Sequence, residues 1–332
     1  MNELMQKEIS ETLAFHSPDF SGRNVLVTGG SGIIGNYLGS YLSNLPKSLR
    51  PSTVTLTSKS GVFSSIVDPV IKILKMDLTS ASEMNKLDKY DSIFHAAGYG
   101  QPGKFLLDPI KTLSLNTWVT ESLITKTNIS GDFIFFSSSE VYSGLDSNSL
   151  TENEIGSTNT NHPRAPYIEG KRTGEALTHI AATSMGINAK SLRIALIYGP
   201  GAKSDDERVM YTFMRQALEK NEINLKDRGT AIRTYGYVLN AISQIIAVTK
   251  FGENGIYNIG GTSKITILEL AELIATITGA RLNVPTENTT YMLGAPTHVE
   301  LNLNKVLSLD HQIPMVDIKV GLQRTIEWMK SV

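Results

Sequence analysis

Tyr167 and Lys171 stand four residues apart in "PYIEGKR", on one face of a helix, and "FIFFSSSEVY", residues 133–142, runs an apolar strand into three serines and Glu140. A phenol with an ammonium one turn away can serve as a proton acceptor. A free tyrosine, with a pKa near 10, is a poor base at neutral pH, so Lys171 and an oxidised nicotinamide are both expected to favour the Tyr167 phenolate. Hydroxyls at the strand end, Ser138 foremost, can hydrogen-bond a reacting oxygen. Proton removal from an alcohol as hydride leaves the same carbon is one step of a dehydrogenation.

These groups need a scaffold that brings them to a cofactor. "NVLVTGGSGIIG", residues 24–35, sends a strand directly into Gly29, Gly32 and Gly35 and then a helix, the context of a dinucleotide site. Gly29 permits the tight turn, Gly32 close backbone approach to a pyrophosphate, and Gly35 close helix packing. The opening N–H groups of Ile33 and Ile34 complete an anion-binding helix end. Ser58 and Lys59 end the second strand, where an acid would favour NAD; a hydroxyl and a cation leave NADP equally open. Asp77 and Leu78, in "KMDL", end the third strand. Asp77 is placed either to bond an adenine amino group or to cap a helix. Ala96 and Ala97 follow the fourth strand.

Short apolar runs alternate with helical stretches, the pattern of βαβ units. Strands are expected at Asn24 to Thr28, Thr53 to Thr57, Val70 to Leu74, Ser92 to His95, Asp132 to Ser137 and Ala189 to Tyr198. Helices are expected at Ile33 to Leu45, Ala81 to Lys89, Pro109 to Lys126 and Tyr167 to Met185. The fold class is therefore α/β: a Rossmann-type doubly wound parallel sheet over residues 21–200, preceded by a helical extension (1–20) and followed by a smaller, mainly substrate-binding region (201–332). In the extension, Leu4, Met5, Ile9 and Leu13 share a face that can dock. Asp146 to Pro163, rich in Ser, Asn and Thr, reads as a long mobile loop.

The composition narrows the partners. A net charge of −1 without like-charge blocks argues against nucleic acid and against an anionic membrane surface. With no cysteine there is no disulfide, zinc–thiolate site or thiol nucleophile, and no metal site is expected. The start lacks a secretory pattern and no apolar run reaches membrane-spanning length, which places the protein in the cytoplasm.

Taken in order, the glycine-rich turn, "DPIKTLSLNT" (108–117), "SSSEVY" (137–142), "YIEGKR" (167–172) and "YGPG" (198–201) resemble the extended short-chain dehydrogenase/reductases of the NAD-dependent epimerase/dehydratase family, nearest its UDP-glucuronate decarboxylases. The resemblance implies a nucleotide-diphosphate sugar as substrate, oxidised at a ring carbon, with carbon 4 favoured, by bound NAD or NADP. It makes Ser138, Glu140, Tyr167 and Lys171 catalytic and puts Asn116 in a structural helix position. Pro200 then lies at the nicotinamide, Arg233 at the diphosphate, and Ser139 and Arg208 near the sugar. Glu140 implies chemistry beyond epimerisation, and Ser139 replaces the aspartic acid of glucose dehydratases. Three positions depart from the decarboxylases: Gly294 before Pro296, where they carry an arginine, Asn240 for an aspartate, and Ser143 for a glycine. Decarboxylation and dehydration of the keto sugar therefore both stay open, with 4-epimerisation and a non-catalytic NAD(P)-binding regulator as alternatives. A homodimer built on the Pro109 and Tyr167 helices is the implied assembly.

Overall fold

The computed structural model describes residues 3–15, 17–61, 68–145, 147, 149–286, 298–310, 313 and 315–332. Strands β1 (Asn24–Thr28), β2 (Thr53–Ser58), β3 (Ile71–Lys75), β4 (Tyr90–His95), β5 (Thr127–Ser138) and β6 (Asn188–Ile194) alternate with helices. The helices of this half are α1 (Glu3–Phe15), α2 (Ile33–Asn44), α3 (Ala81–Met84), α4 (Pro102–Phe105), α5 (Pro109–Asn116), α6 (Trp118–Thr125) and α7 (Ala165–Ser184). The rest of the chain adds β7 (Leu196–Tyr198), α8 (Val209–Lys220), β8 (Glu222–Asn224), β9 (Ile232–Tyr237), α9 (Val238–Phe251), β10 (Gly255–Ile259) and β11 (Ser263–Thr266). It continues through α10 (Ile267–Thr278), β12 (Arg281–Asn283), β13 (His298–Val299), α11 (Asn304–Leu307) and α12 (Ile318–Lys330).

All pairings in the main sheet are parallel, in the order β10-β6-β5-β4-β1-β2-β3. The run β3-β2-β1-β4-β5-β6 is the doubly wound Rossmann order, in which the chain leaves β1 in both directions and opens a crevice at the strand ends. Parallel strands covered by helices on both faces must be apolar throughout. Val25, Leu26 and Val27 of β1 and Phe133, Ile134 and Phe135 of β5 are accordingly fully buried. The expected α/β class is thus observed, with β10 as a seventh strand.

Several boundaries differ from the sequence expectation, each for a tertiary reason. The run Ala189 to Tyr198 is two strands, because the chain changes sheets at Ala195. Its N–H still bonds the Ile259 carbonyl of β10 at 2.9 Å, while Leu196 to Tyr198 pair with β9 in a second sheet. The helix expected from Pro109 to Lys126 breaks at Thr117, whose φ and ψ of −113° and −86° lie outside the helical region. The Thr117 hydroxyl bonds back to the Leu113 carbonyl at 2.9 Å, the back-bonding by which Thr bends helices. α3 stops at Met84, and tight turns from Lys86 to Glu83 and Leu87 to Met84 deliver Leu87 to the core.

The stretch expected to be a mobile loop is tied down. Leu150 pairs with Leu301, the Glu154 carboxylate accepts from the Thr151 N–H and hydroxyl, and Arg193 Nη1 donates to the Glu152 and Glu154 carbonyls. Asp146 and Asn148 of that stretch lie outside the described residues. The docking helix α1 forms as expected, with Met5 and Ile9 buried on α2 and α9. The same buried face carries Glu8, fully enclosed. Its carboxylate accepts from Tyr37 at 2.6 Å and from Tyr237, and Arg324 lies 3.4 Å away.

No helix among the described residues is long and apolar enough to cross a membrane, and no group of His, Cys, Asp and Glu there could hold a metal.

Candidate active site

β1 delivers Gly29 into the turn at φ +66°, where a Cβ would sit 2.9 Å from the Ala96 carbonyl oxygen and the Ala97 backbone. Gly35 is as constrained, since a Cβ there would lie 2.4 Å from the Gly29 oxygen. These contacts explain why Gly29 and Gly35 carry no side chain: the turn approaches the backbone that follows β4 and the start of α2. Gly32 caps α2 with extended backbone and no side-chain bond, so Ile33, Ile34 and Gly35 open the helix without a protein anion. A helix start bare of side-chain acceptors, beside glycines that admit close approach, fits a dinucleotide pyrophosphate.

Around this cradle the other expected cofactor residues converge in part. Ser58 is buried and bonds Ser31 Oγ at 2.8 Å. Lys59 is largely exposed, its Nζ 3.4 Å from Asp77. Asp77 is more heavily engaged than expected: Lys111 donates to it at 2.6 Å, and the Thr79 hydroxyl and N–H at 2.7 and 3.1 Å. Burial works to raise its carboxyl, but the Lys111 and Thr79 bonds outweigh it and hold the group far below the usual carboxylate range. It does not cap α3, whose N-cap is Ser80. Leu78 packs in the core under β1, and Pro200 is buried just after β7.

Ser138 ends β5 close enough to the Tyr167 phenol, presented by the first turn of α7, to favour its ionised form. One turn later, Lys171 Nζ donates to the Phe136 carbonyl at 2.6 Å and lies 5.0 Å over the Phe135 ring and 5.7 Å over that of Tyr167. α7 can lie this close to α5 because of its glycines: a Cβ at Gly170 would meet Asn116 Cβ at 3.1 Å, and one at Gly174 would meet Phe135 at 2.2 Å. Asn116 is fully buried, donates to the Thr112 carbonyl at 2.8 Å, and keeps its Oδ1 without a hydrogen bond among the described residues. Behind the strand end, Ser137 bonds Glu175, which is in a buried ion pair with Arg193 at 2.9 Å; Ser137 is structural.

Burial pushes the Tyr167 phenol up to about 12, with Ser138 only partly opposing it. Burial also pushes Lys171 down to about 7, against the Glu175 carboxylate, which favours its ammonium. His95 is driven down to about 3 by burial and then by Lys171, and so serves as a neutral strut between Thr28 and the Leu115 carbonyl.

Glu140 opens the short helix Ser139–Tyr142, with its N–H on Ser138 Oγ at 3.2 Å. Its carboxylate is clamped by Arg164, Nε donating to Oε2 at 3.0 Å and Nη2 to Oε1. Arg233 feels both Glu140 and Arg164, though burial first of all lowers it. Ser139 is half-buried beside them. Arg208 is turned elsewhere: Nε and Nη2 grip Asp206 at 3.0 and 2.6 Å and Nη1 bonds the Ile197 carbonyl at 2.7 Å. Gly294 and Pro296 lie outside the described residues.

Two site residues escaped sequence reasoning. Phe105 stacks on Tyr167 with centroids 4.6 Å apart and an 8° interplanar angle, and nothing in its neighbourhood of sequence marks it. Arg164 had a signal: it stands one helical turn before Tyr167.

The family profile described as "NAD dependent epimerase/dehydratase family" matches residues 25–260. The chain belongs to that family, and is an enzyme of it. Among curated relatives, UDP-glucuronic acid decarboxylase 6 of Arabidopsis thaliana is 29% identical over 257 residues, 76% of this chain and 74% of the relative. Two solved structures share the fold. UDP-glucose 4-epimerase of Thermotoga maritima with UDP-glucose has TM-score 0.78 and 23% identity, over 93% of this chain and 99% of the other. dTDP-glucose 4,6-dehydratase of Streptomyces venezuelae with NAD bound has TM-score 0.76 and 22% identity, over 93% and 97%.

Proposed function

We propose that this enzyme oxidises carbon 4 of a nucleotide-diphosphate hexuronate and then releases the sugar carboxyl as carbon dioxide. The observation that carries the reading is the joint placement of Ser138, Tyr167 and Lys171 with a Glu140 already clamped by Arg164. Ser138 hydrogen-bonds the oxygen on carbon 4, and Tyr167 takes its proton. NAD held at the Gly29–Gly35 cradle would supply the hydride acceptor for carbon 4 and a positive ring that favours the Tyr167 phenolate against burial, and the hydride would return to a later intermediate.

The 4-ketone makes the carboxylate on carbon 5 that of a β-keto acid. The bond from carbon 5 to the carboxyl carbon breaks, its electron pair passes to the carbon 4 oxygen, carbon dioxide leaves, and carbon 5 takes up a proton. That sequence needs no free carboxylate base, whereas elimination of water does. A Glu140 engaged through both oxygens favours the first over the second. The decarboxylase among the relatives agrees with this, and the NAD of the dehydratase structure supports NAD over NADP.

The test is incubation of the purified chain with NAD and a panel of UDP, dTDP, GDP and CDP sugars, read by mass spectrometry. Loss of about 44 mass units from a glucuronate is the expected result. Loss of about 18, or a new sugar of unchanged mass, would replace this reading by dehydration or epimerisation.

A further inference from the structure

Arg164 stands at the N-cap of α7, its side chain 13% exposed, one turn before Tyr167. Three contacts hold its guanidinium there: Nε and Nη2 on Glu140, and its central carbon 5.3 Å from the centroid of Phe105, the ring that stacks on Tyr167. A guanidinium has five N–H donors, and Nη1 of Arg164 makes no hydrogen bond among the described residues. A cation with uncommitted donors is therefore fixed beside the reacting phenol.

A sugar whose carbon 4 oxygen lies at Tyr167 brings its carbon 5 substituent within a few bonds of that point. Glu140 is close enough to raise the Tyr167 phenol by its charge. A carboxylate on the substrate would thus face a second carboxylate, and two such groups in a half-buried site repel unless a cation lies between them. A neutral hydroxymethyl group would meet no such repulsion. Arg164 is the cation so placed, and its planar fork suits two carboxylates at once.

Resting on the hexuronate reading above, we propose that Arg164 is a specificity residue: its remaining N–H groups bind the sugar's own carboxylate while Nε and Nη2 keep Glu140 in place. It gives the site a preference for an acidic sugar over the neutral hexose.

The experiment measures binding by calorimetry on the full chain with NAD, using UDP-glucuronate and UDP-glucose as probes, for wild type, Arg164→Lys, Arg164→Met and Arg164→Met/Glu140→Gln. Wild type is expected to prefer UDP-glucuronate. Arg164→Met should lower the UDP-glucuronate to UDP-glucose affinity ratio about 10- to 100-fold, with Arg164→Lys recovering part. The double variant guards against unfolding caused by an unpaired Glu140, and should stay below the wild-type ratio because the Arg164 donors are gone, while recovering part of the loss because Glu140→Gln removes the charge that repels the carboxylate. A wild-type protein indifferent to the carboxylate would overturn the hexuronate reading and this assignment together. A clear wild-type preference that survives in the folded double variant and in Arg164→Met would overturn the assignment of Arg164 alone, reducing it to a support for Glu140.

Discussion

Tyr167 lies flat on Phe105, ring centroids 4.6 Å apart and planes within 8°. A base must hold its oxygen within hydrogen-bond reach of the proton it takes, and this stack removes the freedom of the phenol to rotate away. Phe105→Leu keeps apolar cover but loses the stacked plane. Aromatic pairs contribute about 0.5–1.5 kcal/mol, so kcat should fall roughly 2- to 13-fold with little change in KM, read from steady-state kinetics. An unchanged kcat would show that α7 alone orients Tyr167.

The proton acceptor itself should be nearly indispensable. Tyr167→Phe is expected to cut turnover by about 10²- to 10⁴-fold while circular dichroism stays native, because the change removes one hydroxyl and no packing. The wild-type oxidative rate should climb with pH, since the phenol is held high by burial and more phenolate forms as protons are withdrawn. Rapid-mixing absorbance of the reduced nicotinamide, followed across pH, checks this. A pH-independent rate would assign the proton to another group.

Glu8 makes a stability prediction. Burial raises its carboxyl above the ordinary value of 4.5, against the opposing bonds from Tyr237 and Tyr37. The folded state therefore binds a proton more tightly than the unfolded chain. That stabilisation is complete below 4.5 and is lost as pH rises through the raised folded value. Glu8→Gln abolishes this titration, so the melting temperature of the variant relative to wild type should rise on going from pH 4 to pH 7. A relative change of about 1–2 °C corresponds to roughly 1 kcal/mol for a chain of 332 residues. Parallel curves for the two proteins would sink the idea.

An apolar strip runs along α4, α5 and α6: Leu107 is 85% exposed and Ile110 80%, with Leu106, Leu113 and Trp118 also in the open. Exposed apolar residues gathered in one segment mark an interaction surface. We expect a second copy of the chain to cover it. Light scattering should find a dimer for wild type and a folded monomer for Ile110→Glu. A monomeric wild type at micromolar concentration would refute this.

Much of the machinery was legible from local pattern. Glycines 29, 32 and 35 lie on one turn, and Tyr167 and Lys171 on one helical face, so short-range geometry alone places them. The parallel sheet was legible for a similar reason, since strands buried on both faces must read as continuous apolar runs. Residues joined across the fold were not. Phe105 reaches Tyr167 only after the chain has crossed β5, Glu8 meets Tyr237 across 229 residues, and the switch of Ala189 to Tyr198 between two sheets has no turn residue to mark it.

Charge state divides the same way. The residue types of Tyr167, Lys171, Glu140 and Arg164 were set by the sequence, and with them the kinds of proton and charge chemistry open to the site. For Tyr167 and Lys171 the direction of ionisation was decided by tertiary structure, because desolvation depends on what surrounds a group in space. Burial is the largest influence on Tyr167, and a clamp from Arg164 on Glu140 joins two residues 24 positions apart that no local pattern links.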